Sequence, residues 1–176
     1  MLANTRPHSY SKPMTWAELC DDKRFQDLPY KIELTKAGRI IMSPTRNRHG
    51  YFASKIAQLL TQLMASGETL VECAVETADS TKVADVVWAS DAMFQRIKDQ
   101  ASCSPAPEVC VEVISPSNTD AEISAKKDLY LKAGATEVWL CDEFGRLSFF
   151  TVQGPIPRSR LCPEFPMQVG TLGNGA

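Results

Sequence analysis

Two acids stand where acids are costly. Asp85 lies inside KVADVVW and Glu112 inside PEVCVEVI, each among valines. An ionised carboxylate in an apolar strand is unfavourable unless a metal, a cation or hydrogen bonds offset its burial. The plain alternative is an acid at a strand end that points to water. If the two strands are neighbours, both acids converge at one sheet end and form an open oxygen-donor site of the kind that takes Mg²⁺ or Mn²⁺. Lys126 follows Glu112 and could reach back to the same end, where it would orient or deprotonate water, or stabilise charge developing on a phosphate.

The elements that position these residues follow from periodicity. Residues 108–114 are a short β-branched run, stopped by Ser115, Pro116, Ser117 and Asn118. A helix and a second apolar run, 137–141, complete a strand–helix–strand unit, which implies a parallel pair within a mixed sheet. Upstream, Thr15 three residues before Glu18 has the capping-box form and predicts a short helix over 15–20. Residues 30–34 and 39–42 read as a hairpin around 35–38. Over 46–66, Phe52, Ile56, Leu59, Leu60, Leu63 and Met64 line one helical face, with Gly67 as the expected C-cap. Strands are expected at 69–77, 83–89 and 147–152, with a short helix at 90–100. The fold class is α/β or α+β, with one central mixed sheet flanked by helices. The expected domain is 14–152, between a loose tail at 1–13 and an extended C-terminal tail at 153–176 that packs on it.

Composition narrows the function classes. The chain has 176 residues, 44% hydrophobic and 23% charged, as in an ordinary globular domain with a real core. No apolar run approaches the length of a membrane span, and the N-terminus carries no signal-peptide pattern. The six cysteines form no CxxC pair, so they are expected to be reduced core residues of a cytoplasmic protein. A net charge of −2 argues against a long non-specific nucleic-acid footprint. Contact with DNA would then use local patches, or metal ions that cancel carboxylate charge.

Several stretches carry a resemblance. IELTKAGRIIMSPT, VADVVWAS, PEVCVEVISPS and AKKDLYLKAGATEVWLCD together resemble the Uma-type restriction-endonuclease family, within the PD-(D/E)xK nuclease superfamily. The most specific elements are EVxSPS and the spacing of Lys126, Tyr130, Ala133, Gly134, Val138, Trp139, Leu140 and Asp142. The resemblance spans roughly residues 14–152 and implies a restriction-endonuclease-like core. It implies that Asp85 and Glu112 are metal ligands, although Ala84 replaces the proline usual before the first acid. The lysine expected two residues after Glu112 is absent, since Ile114 stands there; the family's lysine moves to the next helix, where Lys126 fits and Lys127 is the alternative. The Val113 carbonyl would complete the metal shell, and Glu33 matches a further acid of the family.

The remaining candidates are weighed against plainer roles. His49, where the family often places a histidine, could touch a phosphate or the reacting water, or merely cap a helix. Arg46, Arg48 and Lys127 could add nucleic-acid contacts, or form a solvated patch. Ser115 and Ser117 lack any nucleophile setting and read as turn residues or helix caps, with Asn118 and Asp120 as alternative caps. Trp88 and Trp139 read as core. The expectation is a Mg²⁺- or Mn²⁺-dependent endonuclease acting on DNA, as a homodimer if both strands are cut. Its rivals are an inactive nuclease-fold module that binds nucleic acid or a protein, an enzyme acting on another phosphodiester, and an interaction domain with Lys126 and Glu112 as a buried ion pair.

Overall fold

The computed structural model describes residues 13–116 and 118–170, so the expected N-terminal tail, Ser117 and the last six residues lie outside it. In chain order the elements are α1 (Trp16–Asp21), a 3-10 turn (Lys23–Phe25), β1 (Tyr30–Thr35), β2 (Ile40–Pro44), α2 (Asn47–Leu63), β3 (Glu68–Glu76), β4 (Ser80–Ala89), α3 (Asp91–Ile97), β5 (Val109–Val113), α4 (Asp120–Lys132), β6 (Glu137–Cys141), β7 (Leu147–Thr151) and β8 (Gly154–Ile156). The strands form one mixed eight-stranded sheet in the order β2-β1-β4-β5-β6-β7-β8, with β3 also on β4. β5 and β6 are parallel with α4 as their crossover, as the strand–helix–strand reading expects.

Side-chain alternation divides the core into two layers. On one face Phe52, Ile56 and Leu60 of α2 cover Val86, Trp88, Val109, Val111 and Trp139, together with Phe165 and Val169 of the C-terminal segment. On the other, Ile97 of α3 and Tyr130 of α4 cover Val75, Ala84, Val87, Cys110 and Val138. The even-numbered Ala84 shares a layer with the odd-numbered Val87, so β4 changes sidedness between them. Opposite, β3 does the same around Glu72, whose φ of +50° is left-handed. Such a backbone is uncommon outside glycine and collects at functional sites.

Two local expectations are corrected. α2 stops at Leu63 rather than running to residue 66, and Met64 is its extended C-cap, so Gly67 does not cap it. Gly67 instead turns the chain against β4: a Cβ there would come within 2.5 Å of the Ala89 carbonyl and 2.7 Å of the Trp88 ring. The cap of α4 is Thr119, in a capping box with Glu122, and not Ser115, Asn118 or Asp120. Asn118 closes the preceding turn, its Oδ1 accepting from the Ser115 amide at 2.8 Å.

Candidate active site

The sheet opens at β4. β3 lines one edge along most of its length, but the other edge is shared. β1 pairs there with Ser80 and Thr81, and β5 with Val86 to Trp88, so residues 82–85 have no strand partner on that side. Extending the β4–β5 register by one step sets Asp85 opposite Glu112. Both acids therefore lie at the mouth of a fork, 1% and 3% exposed.

Carboxylates replace the missing ladder at this fork. The Val113 amide donates to Asp85 Oδ2 at 2.6 Å, and the Val83 amide to Glu33 Oε1 at 3.4 Å. This is why acids are tolerated inside apolar strands: they satisfy backbone donors that no neighbouring strand reaches.

Cations fill the remaining positions. Lys31, two residues from Glu33 on the same face of β1, pairs closely with Asp85 Oδ1 and lies 3.7 Å from Glu112 Oε2. His49, in the first turn of α2, places Nε2 3.1 Å from Asp85 Oδ2. Lys126 reaches back from α4 to Glu112 Oε2 at 3.0 Å and to Glu33 Oε1 at 2.7 Å. One helical turn on, the Tyr130 hydroxyl donates to Glu112 Oε1 at 2.6 Å. Lys82 adds a 3.3 Å pair with Glu33.

Burial would raise the pKa of Asp85, but the Lys31 charge and the His49 hydrogen bond outweigh it and hold the carboxyl well below its ordinary range. Glu33 is likewise lowered, because Lys126 overcomes the effect of burial. Burial alone would neutralise Lys31 and Lys126, yet Glu112 and its neighbouring acids raise both. The hydrogen bond to Asp85 raises His49. Burial, and then Glu112, push Tyr130 far up, which keeps its hydroxyl a proton donor.

The four residues expected to carry chemistry, Asp85, Glu112, Lys126 and Glu33, thus meet in one place. Glu112, Lys126 and Glu33 border a cavity of about 310 Å³ that Lys31, Arg46, His49, Lys82, Val113 and Glu122 also line, and Asp85 is buried behind its wall against Lys31 and His49. Arg48 faces an adjoining hollow with Phe52 and Pro116. Lys127 is elsewhere, 5.0 Å over the Phe150 ring and 3.3 Å from Asp128, because successive helical residues diverge by about 100°. Sequence reasoning missed Lys31, Lys82 and Tyr130. The available signals were the two-residue step from Glu33 to Lys31 and the four-residue step from Lys126 to Tyr130. Among the described residues, no group of three or more His, Cys, Asp or Glu side chains is placed to hold a metal ion.

Comparison with known proteins agrees with this architecture. A crystal structure described as "a putative nuclease belonging to DUF820 from Anabaena variabilis ATCC 29413" superposes with a TM-score of 0.67 at 18% identity, over 89% of this chain and 95% of that one, which establishes a shared fold. No curated protein matches the chain. The family model described as "Putative restriction endonuclease" (Uma2) matches residues 22–160, a span that contains every residue of the fork. The chain belongs to that family.

Proposed function

We propose that the protein is a divalent-metal-dependent endonuclease that hydrolyses phosphodiester bonds of DNA. The observation that carries this reading is the meeting of Asp85, Glu112 and the Lys126 ammonium at the open fork. The donor set fits a hard divalent cation: two carboxylates face each other and already share one cation, the Lys31 ammonium. Mg²⁺ and Mn²⁺ take such oxygens and keep other positions for water and substrate phosphate. When bound, the ion would neutralise charge on the scissile phosphate and make water more acidic.

The chain's own groups do the rest. Asp85 and Glu112 would hold the cation, with the Val113 carbonyl as a third donor. Tyr130 fixes one Glu112 oxygen and leaves the other turned to the cavity. Lys126 places the attacking water and stabilises the charge that grows on the phosphate. Glu33 positions Lys126 by accepting from the other side of its ammonium. Arg46 and His49, at the cavity wall, meet flanking phosphate, with Arg48 just beyond. Cleavage of both strands calls for two such sites, so we infer a symmetric pair of chains. Ile41 and Met42, 42% and 49% exposed on the edge strand β2, supply apolar surface for one.

Calorimetric titration with Mn²⁺, followed by plasmid nicking in the same buffer, tests the reading. The wild type should bind and nick, and the Asp85→Ala, Glu112→Ala double variant should do neither. Binding without nicking would point to another phosphodiester. No binding by a folded wild-type protein would leave a nuclease fold used for recognition alone.

A further inference from the structure

Lys31 stands on the boundary between two cavities. On one side is the site cavity of about 310 Å³. On the other is a hollow of about 620 Å³, lined by Trp16, Leu19, Phe25, Tyr30 and Glu72. The Lys31 side chain is 9% exposed, and its ammonium bridges Asp85 Oδ1 and Glu112 Oε2, oxygens of the two acids that would hold a divalent cation. Two cations cannot share that position, since like charges at such separation oppose each other strongly. An entering ion must therefore either fail to bind or move the lysine.

The structure also offers the lysine a destination. Glu72 falls in the gap of the β3–β4 ladder between the Val71–Val86 and Cys73–Ala84 pairs, is exposed, and lines the larger hollow. Its left-handed φ of +50° interrupts the regular alternation of β3 at this point. Among the described residues it makes no ion pair or side-chain hydrogen bond, while the fork acids Asp85, Glu33 and Glu112 each make at least one. An ordinary side chain in that conformation is strained, so the surrounding structure must impose it. A four-carbon stem with free rotation lets an ammonium move between acceptors on either side of its strand.

We propose that Lys31 is an internal counter-ion that a divalent cation must displace, and that Glu72 receives its ammonium in the neighbouring hollow. This rests on the metal-dependent reading above. Lys31 then has two jobs: it neutralises two buried acids before metal arrives, and it sets a threshold for metal binding. Glu72 is a positioning residue that lowers this threshold without touching the ion.

Calorimetry with Mn²⁺ on the full chain, with thermal melting in chelator and in excess Mn²⁺, tests the inference. Lys31→Met should bind Mn²⁺ at least about tenfold more tightly than wild type. It should also melt lower in chelator, because two buried carboxylates lose one of the cations that neutralise them, and show a larger Mn²⁺-induced rise in Tm. Lys31→Gln, which keeps a hydrogen-bond donor, should act in the same direction and serves if the methionine variant does not fold. Glu72→Gln should weaken Mn²⁺ binding several-fold and leave the melting temperature in chelator unchanged. Equal or weaker binding in folded Lys31 variants, with clear binding by wild type, overturns the proposal and leaves the metal reading standing. Absence of binding in wild type and all variants overturns both.

Discussion

Two glutamates on adjacent parallel strands are equally buried and do opposite things. Glu112, near the C-terminal end of β5, is 3% exposed; Glu137, at the start of β6, is 0% exposed. Glu137 is held entirely by neutral, fixed donors. It accepts from the Trp139 indole at 2.8 Å, the Ser159 hydroxyl at 2.7 Å, and the Arg160 and Leu161 amides at 2.7 and 3.1 Å. Those bonds tie the C-terminal segment to the sheet and leave no position for a ligand. Glu112 instead shares its outward oxygen with ammonium groups on flexible stems. Burial of an acid therefore does not mark a site. The nature of its partners separates the two acids: fixed neutral donors meet Glu137, and lysines on flexible stems meet the outward oxygen of Glu112.

The contrast can be broken experimentally in several places. The largest expected effect is on chemistry: Asp85→Asn, which keeps shape and removes charge, should lower plasmid nicking by about a thousandfold or more while the protein stays folded. Next comes stability. Glu137→Ala orphans four buried donors and should cost about 3–5 kcal/mol in urea unfolding, with metal affinity unchanged under conditions where the variant is folded.

Much of this contrast was legible in the sequence, though unevenly. Asp85 and Glu112 stood out because each interrupts a valine-rich run, but their convergence followed only if their strands were neighbours, which no local pattern settles. Glu137 hid in plain view: it opens an apolar run and reads as a strand edge, and three of its four partners lie over twenty residues downstream in a proline-rich stretch without periodicity. Lys31 and Lys82 are individually ordinary strand residues. Only the fork, where β4 changes partner from β1 to β5, turns them inward, and no local pattern announces a change of partner. The extra strand β8 was likewise invisible, and the C-terminal tail expected to pack on the domain carried no pattern that singled out Phe165 or Val169, since short segments that finish a core carry little signal of their own.

Smaller effects would sharpen the comparison. Tyr130→Phe removes one hydrogen bond to Glu112 and should cost about 1–2 kcal/mol of stability, with a modest loss of Mn²⁺ affinity by calorimetry. His49 gives a pH signature. Its pKa is raised above the ordinary 6.5 by Asp85, so the folded state binds its proton more tightly than the unfolded chain does. That stabilisation is complete below pH 6.5 and fades as pH rises through the folded-state value. In chelator, His49→Gln should flatten the decline in melting temperature that wild type shows above that pH. The least effect belongs to Lys127→Ala, whose ammonium sits over Phe150: nicking should stay within about twofold, and stability within about 1 kcal/mol.

The most direct measurement compares Glu112→Gln with Glu137→Gln by thermal melting, each in chelator and in excess Mn²⁺. A displaceable carboxylate and a fixed one should separate cleanly. Glu112→Gln should melt near the wild type in chelator and lose the Mn²⁺-induced rise. Glu137→Gln should melt well below the wild type in chelator and keep that rise. A full Mn²⁺-induced rise in Glu112→Gln would contradict the account, because the acid shared with Lys126 and Lys31 would then not be where the metal binds.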